Sequence, residues 1–355
     1  MKKIVDIEGL LIAPSDNVRS AMEKLDKSGS KILFVADSEK KIMGSISDGD
    51  IRRFVLSGGK VEENVVKAAN QNCYCLNVDE AISEDFFEKK KITCVPVVDK
   101  RKRIVFFWFS DSTATFPIRK KIDLPVVIQA GGFGTRLYPY TQILPKALVP
   151  IGEKPITELI IDSFLEYGCT EFFMIVNHKK NMIKSYFAEI EKNYSLTFID
   201  EDTPLGTAGG LSLLKGKINK PFFLTNCDTL IDVEYSDVYK MHNEKNAVAT
   251  VVSAMKNYVV PYGVMNINKS GGIQRFIEKP SHDYIVNTGL YLMNQEIIEG
   301  MTPNQRISVP EVLQNNMNQG RVVAVYPVTE NCWNDMGQPD ELKKMQTKFK
   351  KRGSL

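Results

Sequence analysis

Residues 130–148 read AGGFGTRLYPYTQILPKAL, directly after the apolar run Pro125-Val126-Val127-Ile128. Glycines that follow a strand let a backbone approach a phosphate closely. Gly132-Phe133-Gly134 supplies two-thirds of a dinucleotide fingerprint, but Leu137 holds the third glycine position. The GxxxxGK[ST] string of a Walker loop is absent. Pro139, Pro145, Pro150 and Pro155 come next, and a proline inside a helix costs about 3 kcal/mol. No regular helix can therefore follow the glycines, as both of those designs require. What remains is a proline-stiffened loop of about 24 residues, against roughly 4–6 in an ordinary connection. Its backbone N–H groups at Gly131–Thr135 and its cations, Arg136 and Lys146, suit a triphosphate.

Outward from the loop, strand-like and helix-like segments alternate. Residues 126–130, 171–177 and 221–228 read as strands, and 155–168 and 181–192 as helices. The first helix is opened by Pro155 and stopped by Gly168, with Leu159, Ile160 and Phe164 on one face. This alternation predicts an α/β fold with a mainly parallel sheet and helices on both faces. Ligands then gather at the carboxyl ends of the strands.

The first 115 residues contain a repeat. SKILFVADSEKKIMGSISDGD (30–50) and ITCVPVVDKRKRIVFFWFSDS (92–112) match at an offset of about 62 residues. Each has a strand-like run, a polar turn with Asp37 or Asp99, and a second run ending near Ser-Asp. A helical pattern precedes each, at 18–25 and at 81–87. Two copies of one α/β unit packed together account for this. Residues 113–124, TATFPIRKKIDL, break the repeat. The expected organisation is a tandem pair over 1–115, a linker over 116–124 and a second domain over 125–355.

The composition is globular, with 43% hydrophobic and 25% charged residues over 355 positions and a net charge of +3. No basic stripe speaks for nucleic acid. No apolar run approaches the roughly 18 residues of a membrane span. Asp6 and Glu8 interrupt the basic N-terminus, unlike a signal peptide. The six cysteines form no CxxC pair, so neither a zinc site nor a disulfide framework is expected. The simplest reading is a cytoplasmic protein with reduced thiols. The three histidines, His178, His242 and His282, stand in no Ser–His or Cys–His motif and are expected on the surface or in loops.

The N-terminal repeat resembles a tandem CBS (cystathionine-β-synthase) module, through APSDNVRSAMEKL and GSISDGDIRR in the first copy. In that family a Ser/Thr-x-x-Asp after the last strand contacts the ribose and phosphate of an adenine nucleotide. The resemblance assigns that role to Ser47 and Asp50. An ionised carboxylate is a strong acceptor for two neighbouring hydroxyls. The second copy has FSDST there and lacks the acid, which implies one nucleotide site per module. The resemblance equally implies a packing module that makes a homo-oligomer.

GGFGTRLYPYTQILPKALVPI resembles the GGxGTRLxPxTxxxPKxL signature of sugar-1-phosphate nucleotidyltransferases. LGTAGGL (205–211), TNCD (225–228), PYGV (261–264), FIEKP (276–280), NTGLYLM (287–293) and WNDMGQPDEL (333–342) follow in family order. The resemblance spans roughly 125–350 and implies a Rossmann-like domain of the GT-A type. The family joins a sugar 1-phosphate to a nucleoside triphosphate and releases pyrophosphate. The nucleophile is a phosphate oxygen, ionised at neutral pH, so no general base is needed. Carried over residue by residue, Arg136 and Lys146 bind the triphosphate and Lys279 the sugar phosphate. Asp228 and Asp335 hold Mg²⁺. Gly131, Gly132, Gly134, Thr135, Gly206 and Thr207 surround the nucleotide, and Gly209, Gly263, Glu278 and Asn287 the sugar. Cys227 departs from the pattern, since glycine often precedes the metal aspartate. A CBS fusion of this kind resembles bacterial guanylyltransferases that make GDP-sugars for surface glycans. It implies GTP and, on the route to legionaminic acid, glucosamine 1-phosphate. Mannose or heptose 1-phosphate, UTP or CTP, and a non-catalytic nucleotide-sugar sensor are the alternatives.

Overall fold

The structure, a computed structural model, describes residues 2–28, 30–80, 82–83, 86–90, 92–110 and 120–352. The chain divides into two compact units, Met1–Ile118 and Arg119–Leu355. The FSDST segment from Asp111 onward, linker positions 116–119, and Ala81, Glu84 and Asp85 of the expected second helix lie outside the described residues. Phe86–Lys90 is helical.

In the first unit, Ile32–Ala36 pairs in parallel with Leu11–Ile12 and antiparallel with Ile42–Ser47. Cys94–Val98 stands in the same relation to Leu76–Asn77 and Ile104–Phe109. The repeat extends to single atoms. Asp37 Oδ1 accepts the N–H groups of Glu39 and Lys41, and Asp99 Oδ1 those of Arg101 and Arg103. Lys40 and Lys102 are both left-handed, with φ of 63° and 62°. The two turns bond each other reciprocally, Ile42 N–H to the Lys102 carbonyl at 3.0 Å and Ile104 N–H to the Lys40 carbonyl at 2.9 Å. Such a reciprocal pair is what two copies about a local two-fold axis make. They share one core, in which Phe34 stacks on Phe107 with centroids 4.8 Å apart.

The second unit is built on a seven-stranded sheet. From edge to edge it runs Ser195–Asp200, Glu171–Val176, Val126–Gln129, Phe222–Asn226, Ser281–Met293, Ala249–Val259 and Val323–Thr329. All pairings are parallel except those of Ser281–Met293, which opposes both neighbours. Alternate residues serve the two faces. Val126, Ile128, Phe172, Met174 and Phe223 pack with helix Ile156–Leu165, while Val127, Phe173, Ile175, Phe222 and Leu224 pack with Leu211, Leu214 and helix Val309–Asn318. Pro155 caps the first helix, and the chain turns at Gly168 with φ of 78°. The next helix, Lys180–Glu189, stops short of 192 because Ile190 is extended. The Lys192 ammonium takes up the Phe187 and Ile190 carbonyls there.

Past a bulge at Val252/Ser253 the Ala249–Val259 and Ser281–Met293 strands run on together as a ribbon. The hairpin Val264–Ile267/Ile273–Ile277 continues from it. No helix among the described residues is long and apolar enough to cross a membrane.

Candidate functional site

The glycine-rich segment leaves the Val126–Gln129 strand and forms only short turns: Thr135–Leu137, Tyr140–Ile143 and Lys146–Leu148. Leu137, Ala147 and Val149 pin it to the core, each at most 1% exposed. Arg136 and Lys146, one residue from such anchors, are thereby held at the surface of a cleft. Gly134 is left-handed, and a Cβ there would press on Thr141 and on the Lys146 side chain at 3.0–3.1 Å. The Thr141 hydroxyl donates to the Gly134 carbonyl at 2.7 Å. The Lys179 ammonium donates to the Thr141 and Gln142 carbonyls at 2.8 and 2.7 Å, tying the loop to the neighbouring strand end.

The cleft measures about 300 Å³ and opens at the carboxyl ends of the parallel strands. It brings together Gly131, Gly132, Arg136, Lys146, Gly206, Thr207 and Asp228 of the expected set. Asp228 is buried and ion-paired with Lys146. The Asp228 carbonyl accepts the Met336 N–H at 2.9 Å, and Thr229 pairs with Asp335 across two short strands, so the two acids lie side by side. Burial, and then the Asp228 charge, raise the Asp335 carboxyl above its ordinary range; the Gly337 N–H, Lys146 and Arg136 oppose this. Two carboxylates held together against their repulsion suit a divalent cation that completes its shell with phosphate and water. No group of three or more His, Cys, Asp or Glu side chains able to hold a metal occurs among the described residues.

The other expected residues are distributed differently. Thr135 is exposed at the start of its turn, and Gly134 faces Thr141; neither lines the cleft. Gly263, Glu278 and Lys279 lie where the ribbon meets its hairpin, with Glu278 against Gly263 and Lys279 at φ 43°. Asn287 donates to the Tyr291 hydroxyl at 2.6 Å and accepts the Gly289 N–H at 3.0 Å. Gly209 does not line the cleft; it is buried, and a Cβ there would collide with the Gln305 carbonyl. In the first unit, Ser47 caps helix Asp48–Leu56 and Asp50 closes a capping box with it. Asp50 Oδ2 accepts from the Ser47 N–H and hydroxyl, and Oδ1 pairs with Arg53 at 2.5 Å. His242 corrects the surface expectation: it is 2% exposed, between Thr250 at 2.9 Å and Asn294 at 3.1 Å. Its helix, Tyr235–Glu244, turns that face inward together with Tyr235 and Val238.

Glu201 lines the cleft without belonging to any motif. Glu201 follows the edge strand, its N–H bonded to the Val176 carbonyl at 2.9 Å. It is 4% exposed, and its buried Oε1 has no hydrogen-bond partner among the described residues. Burial pushes its carboxyl up to about 7, and the Leu205 N–H offsets part of this.

The nucleotidyl transferase family model matches residues 125–352, and the CBS domain model residues 6–57. The chain belongs to the nucleotidyl transferase family. It is 31% identical over 228 residues to a mannose-1-phosphate guanyltransferase of Schizosaccharomyces pombe, covering 61% of this chain and 62% of that protein. A probable mannose-1-phosphate guanylyltransferase 2 of Oryza sativa subsp. japonica is 29% identical over 225 residues, with the same coverage. The chain thus spans less than two-thirds of the length of these relatives. Among solved structures, HddC from Yersinia pseudotuberculosis is similar with a TM-score of 0.51 and 25% identity, covering 64% of this chain and 99% of that one.

Proposed function

We propose that the second unit transfers a guanylyl group from GTP to a sugar 1-phosphate, giving a GDP-sugar and pyrophosphate. The observation that carries the guanine is Glu201, a buried carboxylate that lines the cleft with Oε2 on the side of Gly131. An ionised carboxylate only accepts hydrogen bonds. Guanine offers two adjacent donors, N1–H and the 2-amino group, on one edge. Adenine, cytosine and uracil each present a lone pair to such a group, which leaves it badly matched. The names of the guanylyl-transferring relatives support the same base.

The chemistry asks for charge neutralisation and alignment more than for proton transfer. A sugar-phosphate oxygen attacks the α-phosphorus, the bond to the β-phosphate oxygen breaks, and pyrophosphate leaves. Arg136 and Lys146 hold the triphosphate and balance its charge. Lys279 brings in the sugar phosphate from the ribbon, and Glu278 and Asn287 meet sugar hydroxyls. Asp228 and Asp335 would hold Mg²⁺, which supplies further neutralisation of the phosphate oxygens when bound. Keeping both acids and all three cations argues for a working enzyme over a sensor.

Two sugars are in play. The resemblance of the whole fusion supports glucosamine 1-phosphate and a place in legionaminic acid synthesis. The relatives' names support mannose 1-phosphate equally. Pyrophosphate release with GTP and each sugar 1-phosphate in turn decides between them, and a kcat/KM at least about tenfold higher for one, roughly one hydrogen bond's worth, names the substrate. Glu278→Ala is expected to raise the KM for the sugar phosphate far more than that for GTP, because a polar group built to bind a substituent penalises its loss. Equal effects on both place Glu278 outside the sugar site.

Lys179 acts as a positioning residue for the loop. Lys179→Ala is expected to raise the KM for GTP about tenfold, the scale of one charge-assisted hydrogen bond. The sugar KM should stay constant, and Lys179→Arg should restore most of the loss. A fall in kcat alone, or no rescue by arginine, contradicts that role. For the first unit the reading is a tandem CBS module over 1–115 that assembles subunits or takes an adenine nucleotide, which would have to displace the Ser47–Asp50–Arg53 contacts. A cytoplasmic setting fits these substrates.

A further inference from the structure

Two amides stand at the end of an apolar stretch of one sheet face. Gln129 and Asn226 are the last residues of neighbouring parallel strands and are register partners. Their side chains therefore leave the same face. Behind them on that face stand Val127 and Leu224, both in the apolar layer. Both amides line the cleft. Gln129 Nε2 donates to the Thr207 carbonyl at 2.9 Å, which leaves Oε1 as the free acceptor. Asn226 makes no side-chain hydrogen bond within the described residues. Gly289 gives it room, since a Cβ there would collide with Asn226 Nδ2. Both side chains are half-buried beside this apolar layer and reach the cleft, where packing alone does not call for an amide.

Strand order places these amides between the two ends of the cleft. The sequence across the sheet is Ser195–Asp200, Glu171–Val176, Val126–Gln129, Phe222–Asn226, each step about 4.8 Å. Glu201 continues the first of these strands, and Asp228 lies just past the last. A nucleotide with its base at Glu201 and its phosphates at Lys146 and Asp228 must lay its remaining part, the ribose, over Gln129 and Asn226. We propose that Gln129 and Asn226 recognise ribose hydroxyls and select ribonucleotides over deoxyribonucleotides. Gln129 Oε1 accepts a hydroxyl proton, and the Asn226 amide bonds its neighbour. This inference rests on the transferase reading above.

The test compares kcat/KM for GTP, 2′-deoxy-GTP and 3′-deoxy-GTP on the full chain. At least one deoxy form should be about tenfold poorer, the scale of one lost hydrogen bond. Gln129→Met should bring that ratio close to unity, chiefly by lowering kcat/KM for GTP. Asn226→Ala provides a second variant should the first not fold. Three equal values in the wild type, or a ratio unchanged in both folded variants, overturn the inference while leaving the transferase reading intact. If another triphosphate is used in place of GTP, the guanine assignment fails, and the same ratio measured with that nucleotide and its deoxy forms decides the ribose contact. No turnover with any triphosphate overturns both.

Discussion

Asp228→Asn is expected to lower turnover about 10²–10³-fold, the scale of one lost transition-state electrostatic contact, roughly 2.7–4 kcal/mol. Asp228 stands at the carboxyl end of a central strand, paired with Lys146 and beside Asp335. The amide keeps the shape but removes the charge that orients Lys146 and would hold the cation. It also removes the Asp228 charge, which adds to burial in raising the Asp335 carboxyl. The fold should survive, since the Met336 N–H bonds the Asp228 backbone carbonyl and not its side chain. Initial rates of pyrophosphate release, with circular dichroism as the folding control, check this. Near-normal Mg²⁺-dependent turnover by the folded variant removes the metal assignment.

Glu201→Gln should change base selection and pH dependence together. A site built around two donors loses discrimination when one of its acceptors becomes a donor. The expected result is a fall of about 10²-fold in kcat/KM for GTP, with the GTP-to-ATP ratio shrinking as well, the scale of one or two charged hydrogen bonds. In the wild type, the carboxyl is pushed up to about 7 by burial. Below that value it carries a proton and accepts poorly, so kcat/KM for GTP should fall as pH drops through about 7; the variant should lack that limb. Stability runs the other way. A carboxyl whose folded pKa is raised contributes stability that is fully present below its unfolded value and is lost as pH rises through the folded one. The glutamine variant should therefore gain more in Tm above the folded pKa, in mildly alkaline buffer, than in mildly acidic buffer. A GTP-to-ATP ratio and a pH profile both unchanged from wild type would place Glu201 outside base recognition.

The legible parts of the sequence are those that local rules control. The prolines at 139, 145, 150 and 155 forbid a long helix after the glycines, and only short turns are found there. The repeat in the first unit is visible because two turns with the same Asp-centred hydrogen bonds need similar residues, down to Lys40 and Lys102. Glu201 and Gln129 are not legible as site residues, and Asn226 is legible only as part of TNCD, with no role of its own. Nothing in a single strand says which neighbour it pairs with, and their common location comes from the order of four strands brought together from positions 126 to 226. Gly209 is a related case: its lack of a side chain serves the approach of the Gln305 backbone, a contact between segments far apart in the chain. A lone histidine on a polar helix reads as solvated, yet Thr250 and Asn294 enclose His242 from other elements of the fold.

The most direct measurement is pyrophosphate release by the full chain with Mg²⁺ and each of GTP, ATP, CTP and UTP, run against a panel of sugar 1-phosphates that includes those of glucosamine and mannose. Release should need both substrates, be fastest with GTP, and yield GDP-sugar in equal amount to pyrophosphate. Release that does not depend on any sugar 1-phosphate, or none with any pair while the folded protein still binds nucleotide, would contradict the transferase reading.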